Sequence, residues 1–408
     1  MPHEHGSTPE QLEFFEEVPE REESREGIED VGPISLPTVS QAVVSATDWT
    51  TETVISQINK GNIQLNPRFQ RRDAWDPQRK SRFIESLILG LPVPQLVLAE
   101  AKDRKGAYVV IDGKQRLLSI RQFAAEEGDR VYDRLRLSGL DIRRDLARKS
   151  LVDLRRDAEL FNDLSAFENQ PIRTVVIKNW QNEDFLYQVF LRLNTGSVPL
   201  SPQELRQALH PGPFVDFADI RSGESEALRE LLKLRKPDFR MRDVELLVRF
   251  YAFSLFLAGY SGDLKRFLDF TCSTLNTEWN EREGEIENLH NQFEHAYRTA
   301  RLVFTNKHVF RKWTGDRYET ALNRAIFDVM MYYFKEPAIR QAAEEKRQGV
   351  EEAFKQLCVS DSRFLASIER TTKSLEATQT RIKVWGAALQ RVLNIDLHIP
   401  TFAGLMPL

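Results

Sequence analysis

Residues 112–116, Asp-Gly-Lys-Gln-Arg, are the strongest candidates for chemistry in this sequence. They follow a short run of β-branched residues and precede a helical pattern of apolar residues, so we expect a strand–turn–helix junction. A glycine there lets the backbone turn tightly, and the N-terminus of the next helix attracts anions. Arg116 could then bind a phosphate group, and Asp112 could bind a metal ion or orient a water molecule. A turn that satisfies its own polar groups would fit the local pattern equally well.

A second candidate stretch, Asn-Pro-Arg-Phe-Gln-Arg-Arg-Asp-Ala-Trp, occupies residues 66–75. Guanidinium groups suit phosphate, and an aromatic ring such as Phe69 or Trp75 could stack on a nucleobase. We therefore predict phosphate contacts for Arg68 and Arg71. For Trp75, packing in the core is the better interpretation.

A third stretch, Phe-Leu-Arg-Leu-Asn-Thr-Gly, occupies residues 190–196. A helix that breaks at Asn194-Thr195 would expose polar side chains and backbone amides at a defined corner, although an inert helix end has the same sequence pattern. The following Ser-Pro-Gln-Glu at 201–204 combines a capping box with a proline at the first helical position, and so predicts a new helix.

The elements that must position these stretches divide into a mixed α/β front part, from about residue 48 to residue 178, and a helical back part. The front part is predicted to contain a helix capped by Thr50 or Thr51, a strand near 63–65, a helix from Asp76-Pro77 to Gly90, a hairpin of 95–100 and 108–111, a helix after Arg116, and a strand at 171–177. The back part has amphipathic stretches at 185–193, 244–257, 264–275, 286–303, 320–334 and 382–393.

The composition of the chain excludes several classes of protein. The 408 residues include only two cysteines, which argues against a disulfide framework or a cysteine zinc site. The sequence has no run of about 18 apolar residues and no signal-peptide pattern at its start, so we expect a cytoplasmic chain without a membrane partner.

The net charge is −4, but residues 1–30 alone carry −9, which leaves a mildly basic remainder that permits a nucleic-acid partner without demanding one. No Gly-x-x-x-x-Gly-Lys-Ser/Thr motif is present, which excludes a P-loop enzyme.

Taken together, the motifs resemble a known family. Their order is Arg-Phe-Gln-Arg at 68–71, Ile-Glu-Ser-x-x-Leu-Gly-Leu-Pro-Val-Pro at 84–94, Ile-Asp-Gly-Lys-Gln-Arg-Leu-Leu-Ser-Ile at 111–120, and the Asn-Thr-Gly and Ser-Pro-Gln-Glu-Leu-Arg pair at 194–206. This order resembles the N-terminal domain family of GmrSD restriction enzymes, a branch of the ParB/sulfiredoxin superfamily. The resemblance is strong over residues 54–209 and weak beyond them. It implies a ParB/sulfiredoxin-like nucleotide-binding domain at 46–180. The acidic composition of residues 1–45 predicts a disordered leader, and the amphipathic stretches predict an all-α domain at 181–408, so the fold class is α+β.

The resemblance also implies an activity: binding and hydrolysis of a nucleoside triphosphate with Mg²⁺ or another divalent cation, in a bacterial system that restricts invading DNA. It assigns catalytic roles to Asp112, Gln115 and Arg116, the metal to Asp112, and nucleotide binding to Arg68, Gln70, Arg71, Gly113, Lys114, Asn194 and Thr195. Lys114 stands where the family usually has glutamine, and a lysine there favours phosphate.

Two other functions remain open at this point. In the first, Asp112-x-Lys114 at a strand end, with Glu100 closing the neighbouring strand, forms a metal-dependent DNA nuclease. In the second, the chain is a non-catalytic adaptor in which nucleotide only biases DNA contacts of the helical part. Family members often carry a C-terminal HNH nuclease domain, and the seven histidines show no such cluster, so a separate nuclease subunit is a candidate partner. A homo-oligomer is compatible with each of these functions.

Overall fold

The computed structural model of the chain describes residues 42–63, 65, 72–102, 104–193, 201–369 and 372–402. Most of the leader predicted at 1–45 lies outside the described residues, and the first strand begins at Val43. The fold is α+β, with a small sheet near the front of the chain and a helical second half, which confirms the predicted fold class.

Four strands form one mixed sheet: β1 (Val43–Thr50), β2 (Leu96–Glu100), β3 (Tyr108–Asp112) and β4 (Pro171–Lys178). Their order across the sheet is β1-β4-β2-β3. The outer pairs β1/β4 and β2/β3 are antiparallel, whereas β2 and β4 run parallel in the centre. The predicted β2–β3 hairpin is therefore confirmed. Asp112 is the last residue of β3, which is an edge strand.

Five helices cover one face of the sheet. They are α1 (Thr51–Asn59), α2 (Pro77–Ile88), α3 (Lys114–Phe123), α4 (Leu151–Arg156) and α5 (Phe161–Asn169). The start of α2 follows its sequence signal, because Asp76 accepts a hydrogen bond from the backbone amide of Arg79 (2.7 Å) and Pro77 occupies the first turn. The predicted strand near 63–65 is a single bridge between Ile63 and Tyr108.

Two helices cover the opposite face of the sheet: α6 (Glu183–Leu193) and α7 (Pro202–Leu209). Phe185, Phe190 and Leu205 from these helices share a buried cluster with Val109 and Ile111 of β3. The capping box predicted at Ser201 and Glu204 is present. The first two helices of the region predicted to be an all-α domain thus pack on the sheet of the preceding one.

The remaining helices form the second half of the chain around a separate core. They are α8 (Pro213–Glu224), α9 (Glu226–Leu231), α10 (Arg242–Phe256), α11 (Leu264–Thr277), α12 (Trp279–His308), α13 (Arg324–Phe334), α14 (Pro337–Glu345), α15 (Arg347–Ser360), α16 (Ser362–Glu369) and α17 (Leu375–Leu393). The buried residues of this core lie between Phe214 and Leu393 in the sequence.

Within the described ranges, no single helix combines the length and the apolar composition needed to cross a membrane. One bent pair, formed by Arg242–Gly259 and Leu264–Thr277 at 101° to each other, meets that requirement by length and composition only.

Candidate functional site

The turn between β3 and α3 is built around Gly113, which has a left-handed backbone conformation with φ 98°. A Cβ atom at this position would lie 2.5 Å from the Cδ2 atom of Leu96, a fully buried residue of β2. Glycine is thus required here both by the backbone conformation and by the close packing against the sheet. Because glycine has no side chain to cap α3, the amides of the first helical turn face the end of β3, where helix termini attract anions.

Arg116 and Asp112 are held together at this turn. A guanidinium Nη2 atom of Arg116 donates to Asp112 Oδ2 (2.9 Å) and to the carbonyl oxygen of Gln95 (2.9 Å). The other carboxylate oxygen of Asp112 accepts from the backbone amide of Gly113 (2.7 Å). Arg116 is only 4% exposed, and its Nε atom is buried without a hydrogen-bond partner among the described residues. The turn is therefore rigid and polar, with one buried guanidinium donor still available.

Lys114 lies on the other side of the turn and connects it to α7. Its Nζ atom forms a hydrogen-bonded ion pair with Glu204 Oε1, and both side chains are 5% exposed. The second oxygen of Glu204 accepts from the backbone amide of Ser201 (2.7 Å), so the same carboxylate completes the capping box. Lys114 thus has a buried carboxylate as its partner.

Asp73 is a residue of this region that the sequence did not identify. Its Oδ2 atom accepts from Lys80 of α2, and the same lysine donates to Gln122 of α3 (2.7 Å). Burial raises the pKa of the Asp73 carboxyl group, and the opposing effects of Lys80 and of the more distant Lys114 are smaller.

Arg72 ties the segment before Asp73 to the helical half. The Nε atom of Arg72 donates to Asp219 (2.6 Å) and its Nη1 atom to both carboxylate oxygens of Asp243 (2.7 and 2.9 Å). A further bond joins Nη2 to Ser222 (3.0 Å), and Arg72 is 1% exposed. The end of the arginine-rich stretch is thus fixed by α8 and α10, although 66–71 itself lies outside the described residues.

The remaining predicted site residues are placed as follows. Gln115 is partly buried in the first turn of α3, and its Oε1 atom has no hydrogen-bond partner among the described residues. Trp75 packs edge-to-face against Phe83 at 5.8 Å between ring centroids, which supports the core interpretation for it. The other predicted nucleotide-binding residues lie outside the described residues: Arg68, Gln70, Arg71, Asn194 and Thr195.

Glu100 does not lie beside the turn as the nuclease hypothesis required. In the antiparallel β2–β3 pair, Glu100 is opposite Tyr108, whereas Asp112 is opposite Val97. The two carboxylates are therefore at opposite ends of the hairpin, several residues apart along strands that rise about 3.3 Å per residue. The expectation that Glu100 supports a metal ion at Asp112 is wrong. Both residues end their strands, and the ends of adjacent strands meet only when the strands run parallel, whereas β2 and β3 are antiparallel.

A metal ion at this turn could still bind Asp112. Both oxygens of Asp112 already accept a hydrogen bond, and each retains a second lone pair. Among the described residues, Asp112 belongs to no group of three potential metal ligands; the group found comprises Glu183, His210 and Asp269 at the opposite end of α7. The turn thus fits a cation that takes one carboxylate oxygen and completes its shell with phosphate oxygens and water, as Mg²⁺ does.

The fold and the turn define a class of protein: an α+β domain that presents, at a strand end, a buried arginine and a helix N-terminus without a side-chain cap, joined to a large helical region. Residues 51–211 match the family model described as GmrSD restriction endonuclease, N-terminal domain. The match supports the GmrSD N-terminal domain family for this part of the chain, and the ParB/sulfiredoxin-like superfamily is consistent with it. The match ends two residues after α7 and leaves α8–α17 outside it. No curated protein and no solved structure was found to match the chain.

Proposed function

We propose that this chain is the nucleoside-triphosphate-binding and hydrolysing component of a bacterial system that restricts foreign DNA. The observation that carries the proposal is the turn at Gly113, where an uncapped helix N-terminus and a buried arginine converge at the end of a strand. Such a turn favours a phosphate group through backbone amides and positive charge. The family that residues 51–211 match supports the restriction role.

Each residue of the turn has a distinct task in this proposal. The first-turn amides of α3 bind phosphate oxygens, and Gly113 allows the phosphate to approach the backbone. Asp112 holds Arg116 through the 2.9 Å ion pair, so that the guanidinium is oriented before the nucleotide binds. Gln115 has a buried amide oxygen without a partner among the described residues, and it is the candidate for orienting the attacking water. A bound Mg²⁺ would screen the charge of the phosphates, held by Asp112 and by the triphosphate itself.

Several parts of the proposal rest on the family alone. The arginine-rich stretch at 66–71 and the Asn194-Thr195 corner are proposed to contact the nucleotide as well. DNA is the proposed macromolecular target, which would place the chain in the cytoplasm, and the DNA is proposed to be cut by a partner nuclease subunit. A role as a non-catalytic adaptor is the second candidate, because the ion pair of Lys114 connects the turn to α7 and the ion pairs of Arg72 connect the segment before Asp73 to the helical half.

The decisive experiment measures nucleotide binding and phosphate release separately. Binding of each nucleoside triphosphate in the presence of Mg²⁺ is followed by calorimetry, and phosphate release is assayed with and without DNA. The unchanged chain is compared with Asp112→Asn and Arg116→Ala. Asp396→Asn and Arg130→Ala, which alter exposed residues of the same types, serve as matched controls.

We expect the unchanged chain and both controls to bind and hydrolyse a nucleotide, and Arg116→Ala to lose binding. Asp112→Asn should retain part of the binding but release phosphate at least about 100-fold more slowly, as expected when a positioned catalytic group is lost. Binding without phosphate release would favour the adaptor. Cleavage of DNA by this chain without nucleotide would favour the nuclease, and absence of both binding and cleavage would contradict all three functions.

A further inference from the structure

One face of α7 carries polar side chains that are buried. Gln203, Glu204, Arg206 and Gln207 are each 5% exposed or less. A helix of eight residues with half of them polar and buried is unusual, because burying a polar group costs free energy unless it is hydrogen-bonded. The opposite face of the helix explains its position, since Leu205 packs against the sheet. The polar face therefore points away from the sheet.

Three of these side chains have hydrogen-bond partners. Arg206 donates from Nε to Asp269 of α11 (2.6 Å) and from Nη1 to the amide oxygen of Gln203 (2.6 Å). Glu204 pairs with Lys114 of the turn at residues 112–116, which we call the phosphate turn because it is the proposed phosphate site. The polar face of α7 thus extends from the turn at Gly113 to the helical half.

Gln203 and Gln207 are left with unused hydrogen-bonding atoms. Neither the amide nitrogen nor the amide oxygen of Gln207 has a partner among the described residues, and the nitrogen of Gln203 also has none. These residues lie four positions apart, so their side chains are neighbours on one face of α7. Buried polar groups almost always have a partner, and an exception indicates a missing water or ligand.

The helix that carries these atoms is connected to the proposed phosphate site through Glu204. Gln203 and Gln207 flank Glu204 within one turn of α7, and Glu204 contacts Lys114 of the turn. On the turn itself, the amide oxygen of Gln115 and the Nε atom of Arg116 are likewise buried and unpartnered among the described residues. The first turn of α3 and the helix α7, which the Lys114–Glu204 ion pair joins, thus both carry buried donors or acceptors without a partner among the described residues.

We propose that Gln207, with Gln203 beside it, recognises the base of the nucleotide whose phosphates bind at Gly113. This inference rests on the proposed function and adds the residue that selects the nucleotide. A primary amide offers two donors and one acceptor in a plane, which matches the donor–acceptor edge of a nucleobase and can form a bidentate pair with it. The Lys114–Glu204 pair connects the phosphate-binding turn to the helix that carries these two amides.

The experiment compares affinities for four nucleoside triphosphates and for inorganic triphosphate, which has phosphates and no base. The test variant is Gln207→Leu, which keeps the approximate size of the side chain and removes both hydrogen-bonding groups. The matched control is Gln348→Leu on α15, where the exposed amide bonds only to Glu352. Thermal unfolding of each variant without ligand is measured in parallel.

We expect the unchanged chain and the Gln348→Leu control to prefer one base. Gln207→Leu should weaken binding of that nucleotide about 10- to 100-fold, the size of one bidentate base contact, and leave inorganic triphosphate affinity unchanged. Because the amide has no protein partner, Gln207→Leu should also unfold at the same temperature as the unchanged chain or higher.

Two results would overturn the inference and leave the proposed function standing. One is equal binding of all four nucleotides by the unchanged chain, and the other is an unaltered base preference in Gln207→Leu. Unaltered preference combined with a lower unfolding temperature would show that the amide only holds an ordered water. If neither nucleotides nor inorganic triphosphate bind to the unchanged chain, the proposed function and the inference both fail.

Discussion

Lys114 and Glu204 form a buried ion pair across 90 residues of sequence, between the first turn of α3 and the first turn of α7. The lysine stands in the phosphate turn, and the glutamate belongs to a capping box that fixes the start of its own helix. A buried ion pair stabilises little compared with apolar residues, but removing one partner leaves an unpaired buried charge. The pair therefore links the position of the phosphate turn to that of α7.

The first prediction concerns this link. Lys114→Gln leaves Glu204 buried without its counter-charge and should lower the free energy of unfolding by about 3–5 kcal/mol. Glu204→Gln keeps the capping geometry but leaves Lys114 buried without a counter-charge, and should lower the free energy of unfolding by a similar amount. The double variant Lys114→Gln/Glu204→Gln should recover most of the loss, because no unpaired charge remains. Urea denaturation of the four proteins gives the coupling energy, and additive losses would show that the two side chains do not form this pair.

The second prediction separates two reasons for the glycine at 113. Gly106 also has a left-handed backbone, with φ 77°, but a Cβ atom there would have no neighbour within 4 Å. Gly106→Ala should therefore cost about 1 kcal/mol from backbone strain alone. Gly113→Ala adds the clash with Leu96 and should cost about 2–4 kcal/mol in total. The difference between the two unfolding free energies measures the clash.

Nucleotide binding provides a second measurement on the same pair of variants. Gly113→Ala should also lose phosphate binding, since the helix N-terminus must shift to admit the methyl group. Gly106→Ala should bind as the unchanged chain does. Equal stability and equal binding in both variants would mean that the phosphate turn tolerates a side chain.

Local signals in the sequence predicted the elements that these variants test. The helix start at Asp76-Pro77 and the capping box at Ser201 depend on residues within four positions, and the structure confirms both. The strand before Asp112 and the helix after it follow from hydrophobic periodicity in the same way. β1 was not predicted, because it lies at the sheet edge and is mostly exposed, so its sequence lacks the alternation of a half-buried strand.

Pairings between distant residues could not be predicted. The partners of Arg72 lie 147 and 171 residues away, and Glu204 was interpreted only as a helix cap. Glu100 was misplaced for a different reason: the predicted hairpin already implied antiparallel strands, whose C-terminal ends lie at opposite ends of the pair. Hydrophobic periodicity predicts which face of one helix or strand is buried. It does not predict which residues pack against that face, so the amides of α7 without a partner are evident only in the structure.

The third prediction concerns the anchor between the arginine-rich stretch and the helical half. Arg72→Met leaves Asp219 and Asp243 buried without a cation and should lower the free energy of unfolding by about 3–5 kcal/mol. The control is Arg82→Met, because Arg82 pairs with Asp141 at the surface, where such pairs contribute at most about 1 kcal/mol. Denaturant titrations test both variants. Equal losses would contradict the assignment of Arg72 as a buried anchor.

The fourth prediction is a pH dependence that arises far from the turn. His290 on α12 stacks on Phe293 and meets Phe217 edge-on, and its Nδ1 atom is buried without a hydrogen-bond partner among the described residues. Burial, assisted by the charge of Arg221, lowers the pKa of His290 from 6.5 to about 4. Between these values the unfolded chain binds a proton that the folded chain does not. The stability contributed by neutral His290 is therefore complete above pH 6.5 and is lost progressively as the pH falls towards 4.

His290→Phe should remove this part of the pH dependence, so that its unfolding free energy declines less than that of the unchanged chain between pH 6.5 and pH 4. His295→Phe, which alters an exposed histidine of the same helix, should leave the slope unchanged. Urea denaturation at several pH values within that window measures the slopes. If His290→Phe retains the slope of the unchanged chain, the charge on His290 is not what destabilises the helical half in acid, and the imidazole must be solvated in the folded protein.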